Sequence, residues 1–300
     1  MKDSSDIHIS VLLKELFDGL DIKPKSIVVD ATVNGGGMSK EVLKRFPNKV
    51  KLVCIDADDG ALKVAEANLR KVSNNTPSFV CGNFREIKTL LESVGVKKVD
   101  RIIFDLGLSS NQLESSGRGF SFLKDEPLLM TFCSSPGKNT LTAFDIANLW
   151  EAENIETILK SYGEEKQARK ISRAIVEARK KGLIKTSKQL SKIVEEVVRR
   201  RTKISPATKT FQAFRMAVND EIGSLKDALK DGFEILNTGG RIAVISFHSI
   251  EDRVVKNFIR DKAKEGAALS LFKKPLMAGE EEKIKNPRSR SAKLRILEKI

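Results

Sequence analysis

Two segments more than a hundred residues apart each bring small and polar side chains to the end of an apolar run. Asp105-Leu106-Gly107-Leu108-Ser109-Ser110-Asn111-Gln112 is one; Arg241 to Ser246 running into Phe247-His248-Ser249-Ile250-Glu251-Asp252-Arg253 is the other. Both runs read as buried strands, and open α/β sheets bind ligands outside the carboxyl ends of their strands. A carboxylate, hydroxyls and an imidazole gathered there can accept hydrogen bonds from an amine, hold a loop or touch a phosphate.

A third segment has the features of a cofactor loop. Asp30-Ala31-Thr32-Val33-Asn34-Gly35-Gly36-Gly37-Met38-Ser39 joins an apolar strand to a helix, and its glycines let the backbone approach a ligand at the helix N-terminus. The next strand ends at Asp56, about twenty residues on, where a carboxylate can accept from both ribose hydroxyls. Dinucleotides and S-adenosylmethionine both use such a site. No third glycine follows Met38, so Gly-x-Gly-x-x-Gly is not met and the nicotinamide cofactor is disfavoured. With Asp56, Phe84 and Asp105 at successive strand ends, and Phe84 offering a ring edge to an adenine, the methionine-derived cofactor is the better reading.

The elements that must hold these groups alternate. Strands are expected at Ser26–Asp30, Lys51–Asp56, Ser78–Gly82 and Arg101–Leu106, with helices from about Ser39, over Ala61–Lys71 and over Ile87–Val94. That alternation predicts an α/β fold with a parallel sheet and helices on both faces. From about Gln112 to Lys209 helical periodicity replaces it, over Thr142–Trp150, Ile155–Tyr162, Glu164–Arg179 and Ser187–Arg200. One helix over Thr208–Leu236, the strand Arg241–Ser246, a helix over Ile250–Lys262 and a last strand Ala292–Leu297 follow, and Gly279–Lys285 reads as a charged loop. The expected organisation is a discontinuous core, 1–112 with 209–300, carrying an inserted helical domain, 113–208, for substrate or RNA recognition.

Composition narrows the classes. Lys plus Arg number 54 against 40 Asp plus Glu, and the excess is clustered between Lys160 and Lys203 and again between Lys273 and Lys299. Clustered positive charge fits a polyanionic partner held through phosphates, the alternative being a lysine-rich solubilising surface. Three cysteines without Cys-x-x-Cys spacing and two histidines argue against a metal centre, and Cys54 and Cys81 read as buried thiols. No apolar run approaches a membrane span, and the first residues lack a signal-peptide layout, so the expected location is the cytoplasm.

In their joint order these motifs resemble one family across nearly the whole chain: the bacterial small-subunit (16S) rRNA cytosine-N4 methyltransferases, the MraW/RsmH type. The resemblance rests on His8 to Leu13, the Asp30–Ser39 loop, Asp105–Gln112, Gly117 to Phe122 and Tyr162 to Glu165. It continues through Ser205 to Arg215, Val218 to Glu221, Gly239–Arg253 and Asn286 to Arg295. It implies a class I, Rossmann-like methyltransferase sheet with a helical insertion and S-adenosyl-L-methionine as donor. The implied acceptor is a decoding-region cytidine of small-subunit rRNA, or of the small ribosomal subunit, which would make the chain a ribosome-biogenesis enzyme with no metal or membrane partner. Monomer and homodimer both stay open. Cofactor contacts carried over from the family fall on Gly36, Gly37, Met38, Asp56, Phe84, Asp105 and Gln112. The chain departs from the family pattern where Asn34 replaces a glycine, Met38 a histidine and Ser205 a histidine, and where Leu129 to Cys133 lack two acids and an arginine.

Methylating a cytosine amine requires its nitrogen lone pair, shared with the ring, to be turned toward the methyl group. Asp105, or a carbonyl near Leu106–Ser109, is the expected acceptor from the amine, with Ser109 or Ser110 holding the loop; Asp105 could instead only bind the cofactor. Arg215 and Asn219, four apart on one helix with Glu221, either grip the target nucleotide or form a buried polar network tying the insertion to the sheet. His248 opens a helix as a capping residue or a phosphate contact. Arg199, Arg200 and Arg201, in the basic run Lys180–Lys203, are the first candidates for rRNA phosphates, against a plain solvated helix face. Phe120, Phe122, Trp150 and Tyr162 read as core. Three other functions remain: a methyltransferase acting on another RNA, DNA or protein amine, an NAD-dependent oxidoreductase, and a non-catalytic rRNA-binding assembly factor.

Overall fold

The computed structural model describes residues 10–72, 76–198 and 205–300. The chain forms two compact units, Met1–Gly107 with Ile222–Ile300, and Leu108–Glu221. The first opens with α1 (Leu13–Leu20), then β1 (Ile27–Asp30), α2 (Gly37–Arg45), β2 (Lys51–Asp56), α3 (Asp59–Arg70), β3 (Ser78–Cys81), α4 (Ile87–Glu92) and β4 (Val99–Asp105). The helical unit follows: α5 (Ser110–Glu114), α6 (Ala143–Leu149), α7 (Ala152–Ser161), α8 (Ala168–Lys181), α9 (Ser187–Val197) and α10 (Thr208–Val218). The chain then returns through α11 (Glu221–Ile235), β5 (Leu236–Ser246), α12 (Ser249–Lys264), β6 (Ala268–Ser270), β7 (Leu276–Met277), α13 (Glu280–Lys285) and β8 (Lys293–Lys299).

The sheet order is β3-β2-β1-β4-β5-β8-β6, with β7 also paired to β8. β1 to β5 pair in parallel and β8 runs antiparallel to β5. Parallel strands covered on both faces need apolar side chains on both, which is why Ile27–Val29, Leu52–Ile55, Ile102–Phe104 and Ile242–Ile245 read as unbroken runs. Alternate residues divide between two cores. Val28, Leu52, Cys54, Ile103 and Ile245 pack with α1, α2 and α3, while Val29, Val53, Ile55, Ile102, Phe104 and Val244 pack with α4, α11 and α12. The helical unit has its own core, in which Ile146, Ile155, Ile171, Leu190 and Phe214 are fully buried.

The helical unit starts before the expected 113, at Leu108, and ends after the expected 208, at Glu221. Phe211, Ala213 and Phe214 of α10 are buried among the inserted helices, so α10 belongs with them rather than with the sheet, as does Gln112. The single helix expected over Thr208–Leu236 is two. Asp220 takes a left-handed φ of 43° between α10 and α11. At this break the Asn219 amide donates to Met130 O and Arg215 O, 2.8 Å each, and accepts from Phe132 N at 2.8 Å.

Other elements carried no clear sequence signal. α1 is docked through its C-terminal carbonyls: Arg241 donates to Gly19 O at 2.7 Å, and Arg101 to Leu20 O and Asp21 O. The charged loop expected at Gly279–Lys285 is helix α13, whose Glu282 accepts from Leu12 N at 2.8 Å. Cys54 is buried as expected, whereas Cys81, the last residue of β3, is exposed because its strand lies at the sheet edge.

In the helical unit Gly119 has φ 75°, and a Cβ there would stand 2.4 Å from Pro127 O. Because that neighbour is backbone, it has no rotamer by which to move away. Gly119→Ala is expected to destabilise this unit by about 2–5 kcal/mol, measurable by urea denaturation.

Candidate active site at the carboxyl ends of the strands

Three aspartates end three neighbouring parallel strands: Asp30 on β1, Asp56 on β2 and Asp105 on β4. Asp30 Oδ2 accepts from Ser39 Oγ at 2.6 Å, which ties the start of α2 to the strand it follows. Thr32, on the loop between them, accepts from Asp105 N at 2.7 Å and so joins the ends of β1 and β4. Asp56 accepts from Asn34 N at 2.8 Å and from Asp58 N at 2.9 Å, one bond to each oxygen. Every carboxylate oxygen has a further lone pair, so Asp56 can still accept from a ligand.

All three carboxyls hold their protons more tightly than usual. Burial pushes Asp30 and Asp56 up to about 6 each, against the pull of their hydrogen bonds. Asp105 is pushed up to about 7, first by burial and then by the charges of Asp30 and Glu251. Its Oδ1 is buried and makes no hydrogen bond among the described residues. A buried acceptor left unpaired is costly, and such atoms are uncommon away from functional sites.

The glycine loop meets α2 with Gly36 at the N-cap in a left-handed conformation, φ 84°, and Gly37 as first helical residue. A Cβ on Gly37 would stand 2.2 Å from Ser10 Oγ, and one on Gly36 would press on Ala65 and Leu69 of α3 at 3.4 Å. These glycines therefore have packing reasons of their own. Met38 is 3% exposed and belongs to the sheet core, so only its backbone is available to a ligand. Phe84 is half-buried and meets Phe104 edge to face at 5.8 Å.

At the end of β5, His248 is the N-cap of α12. Its Nδ1 accepts from Glu251 N at 3.3 Å, and Glu251 Oε2 accepts from Phe247 N at 2.9 Å and His248 N at 3.3 Å, a reciprocal capping box. Asp252, one residue on, accepts from Arg295 Nε at 2.7 Å and lies 3.5 Å from Lys293 Nζ, both on β8. Its burial opposes ionisation, but these two cations outweigh it and hold its pKa below the usual value.

In the helical unit, Ser109 caps α5. Its Oγ accepts from Gln112 N at 3.0 Å and its N donates to Gln112 Oε1 at 3.1 Å, so the two residues fix the loop after β4. Ser110 is the first residue of α5. Arg215 makes a two-pronged pair with Glu221 at 2.7 and 2.8 Å, and Asn219 secures the Met130–Phe132 segment. Arg215 and Asn219 are thus engaged in polar contacts within the helical unit. The Leu129 to Cys133 departure falls on that same segment, where Met130 is fully buried and Arg118 donates to Thr131 O and Phe132 O. Phe120 is buried, and Phe122, Trp150 and Tyr162 pack against the same core.

Arg199, Arg200 and Arg201 lie outside the described residues. Within them, the outward face of α8 and its approach carry Lys166, Arg169, Lys170, Arg173, Lys180 and Lys181, all exposed. Arg179 is withdrawn from that face, donating to Trp150 O at 2.6 Å.

Asp30, Thr32, Ser39, Glu251 and Asp252 were not singled out from the sequence as site residues. An acid closing an apolar strand was the available signal for Asp30, and Glu three residues after His248 was the signal for the capping box.

The sheet order defines a Rossmann-like α/β protein, with three acids at the carboxyl ends of neighbouring strands. The family is more specific than the fold. The profile of the MraW methylase family matches residues 5–300, and the chain belongs to that family. The ribosomal RNA small subunit methyltransferase H of Persephonella marina (strain DSM 14350 / EX-H1) is 45% identical over 296 residues, covering 98% of this chain and 99% of that one. The protein of the same name from Clostridium botulinum (strain Kyoto / Type A2) is 42% identical over 310 residues, with the same coverage. That of Clostridioides difficile (strain 630) is 38% identical over 311 residues, again covering 98% and 99%.

Proposed function

We propose that this protein transfers a methyl group from S-adenosylmethionine to the exocyclic N4 of a cytidine in the decoding region of small-subunit rRNA. The observation that carries the reading is Asp105: a half-buried carboxylate, with its Oδ1 buried and unpaired, at the end of the central strand β4. The names of the full-length relatives support the rRNA substrate.

S-adenosylmethionine, when bound, supplies a methyl group already activated on a sulfonium sulfur. The chain's residues fit such a donor. Asp56 has lone pairs left for ribose hydroxyls, and the Gly36–Met38 turn leads from the end of β1 into α2 beside it. Asp105 accepts a hydrogen bond from the target amine and so turns its lone pair outward; alignment of this kind is worth roughly 7–11 kcal/mol in favourable cases. As the nitrogen forms its new bond to carbon it sheds one proton, and Asp105, which holds protons up to about pH 7, takes it. A base within a stack cannot reach a buried donor, so the cytidine must be unpaired or flipped.

Affinity for rRNA rests on phosphate contacts by the exposed cations of α8. Reversing three of them, Arg169→Glu, Lys170→Glu and Arg173→Glu, is expected to weaken subunit binding. The slope of log affinity against log salt should flatten by about 0.7–0.9 for each phosphate no longer neutralised. Fluorescence titration across a salt series reads both.

The deciding experiment is tritium transfer from labelled S-adenosylmethionine to small subunits from cells lacking the modification, followed by nucleoside mass analysis. Labelled N4-methylcytidine is the expected product. Binding of donor and subunit without transfer would leave an rRNA-binding factor, and label in another nucleoside would replace the acceptor.

A further inference from the structure

Asp105 Oδ1 is not alone in lacking a hydrogen bond. His248 Nε2 is also buried and makes none; the third such side-chain atom among the described residues, Thr210 Oγ1, is in the helical unit. Asp105 and His248 stand at the ends of adjacent parallel strands. Asp105 is in register with Ile245, Leu106 N donates to Ile245 O at 3.0 Å, and a Cβ on Gly107 would touch the Phe247 ring at 3.4 Å. Glu251 links them: its charge acts on Asp105, and its Oε1 lies 3.2 Å from His248 Nε2, so both side chains gather around one carboxylate at this end of the sheet.

The cap on α12 decides which nitrogen of His248 carries the proton. Nδ1 spends its lone pair on Glu251 N–H, so in the neutral ring the hydrogen sits on Nε2. Glu251 Oε1 is 3.2 Å from Nε2 but does not satisfy the direction of a hydrogen bond. The strand ends therefore offer one buried acceptor, Asp105 Oδ1, and one buried donor, His248 Nε2–H.

An aminopyrimidine edge has the complementary pattern: an exocyclic amine that donates beside a ring nitrogen that accepts. Uracil presents the reverse, a carbonyl beside a ring N–H, and would set like against like at both positions. We infer that His248 is a specificity-determining residue whose Nε2–H donates to ring N3 of the target cytosine while Asp105 accepts from its amine. This rests on the cytidine reading above and assigns to His248 a base-reading role in addition to its cap.

The test is a four-way comparison of kcat/KM. Reconstituted small subunits carry either cytidine or 3-deazacytidine, which lacks the N3 acceptor, at the methylated position, and each is assayed with wild type and with His248→Asn. Asparagine is a favoured N-cap and keeps an acceptor for Glu251 N–H, but it is too short to present the donor. The wild type is expected to lose about 10- to 100-fold on the deaza substrate. His248→Asn should lose a similar factor on cytidine and show little further loss on 3-deazacytidine. His248→Gln, whose amide reaches as far as Nε2, should recover part of the cytidine rate. If His248→Asn slows both substrates by one common factor, or neither, His248 does not read N3 and the inference is overturned. If the wild type methylates neither substrate, it is the cytidine reading itself that fails.

Discussion

Asp105→Asn should lower the rate of methyl transfer at saturating donor by about 10²–10⁴-fold, the range expected when a positioned proton acceptor is removed. Cofactor affinity should change far less, because the backbone path through Thr32 Oγ1 and Asp105 N is untouched. In the wild type the carboxyl must be ionised both to accept from the amine and to take its proton. Its raised pKa, about 7, then predicts a rate that climbs with pH and reaches half its plateau near neutrality. Stability runs the other way. The folded state keeps this proton up to about pH 7, while the unfolded chain releases it near the ordinary carboxylate value of 3.8, so the group's contribution to stability is complete below 3.8 and is lost as pH rises through 7. Asparagine does not titrate. The variant should therefore melt above the wild type at pH 8 and draw level with it toward pH 4, each kcal/mol of difference moving the melting temperature by about 2–4 °C. A full rate for Asp105→Asn would remove the carboxylate from the mechanism.

Asp56→Ala is expected to weaken S-adenosylmethionine binding by about 10²–10³-fold, as two charge-assisted hydrogen bonds to ribose hydroxyls disappear. Turnover at saturating donor should stay within a few-fold, since the ribose is held equally before and during transfer. Calorimetric titration against pH adds a second readout. Wild-type affinity should fall as pH drops through about 6, where Asp56 takes a proton, and the variant should lack that step. Unchanged affinity in the variant would place the ribose elsewhere.

The strands and the site differ in how far they could be read from sequence. β1, β2 and β4 are covered on both faces, so each ends in an apolar run closed by an acid, and Asp56 and Asp105 stand where those runs end. The break at Asn219–Asp220 was hidden because apolar spacing continues through it, and the bond that fixes Asn219 runs to Met130, far away in sequence. α1 has no local signal for a similar reason: the arginines that donate to its carbonyls, Arg101 and Arg241, lie on β4 and β5. From its position His248 suits either a cap or a phosphate contact, and the structure makes it the N-cap of α12. Its free Nε2 was not legible, because that depends on which ring nitrogen the cap uses.

β4 and β5 are hydrogen-bonded neighbours although the whole helical unit stands between them in the chain. The entropy of closing such a connection grows only with the logarithm of its length, about 0.6 kcal/mol for each doubling. Lengthening or shortening the insertion is therefore thermodynamically mild for the sheet. The kinetic cost is larger, because a pairing so distant in sequence is slow to find. A helical unit that condenses around its own core would shorten the effective search, which favours an order of assembly in which the insertion collapses before β5 joins β4. The strand ends that carry the chemistry and the content of the insertion can then vary almost independently.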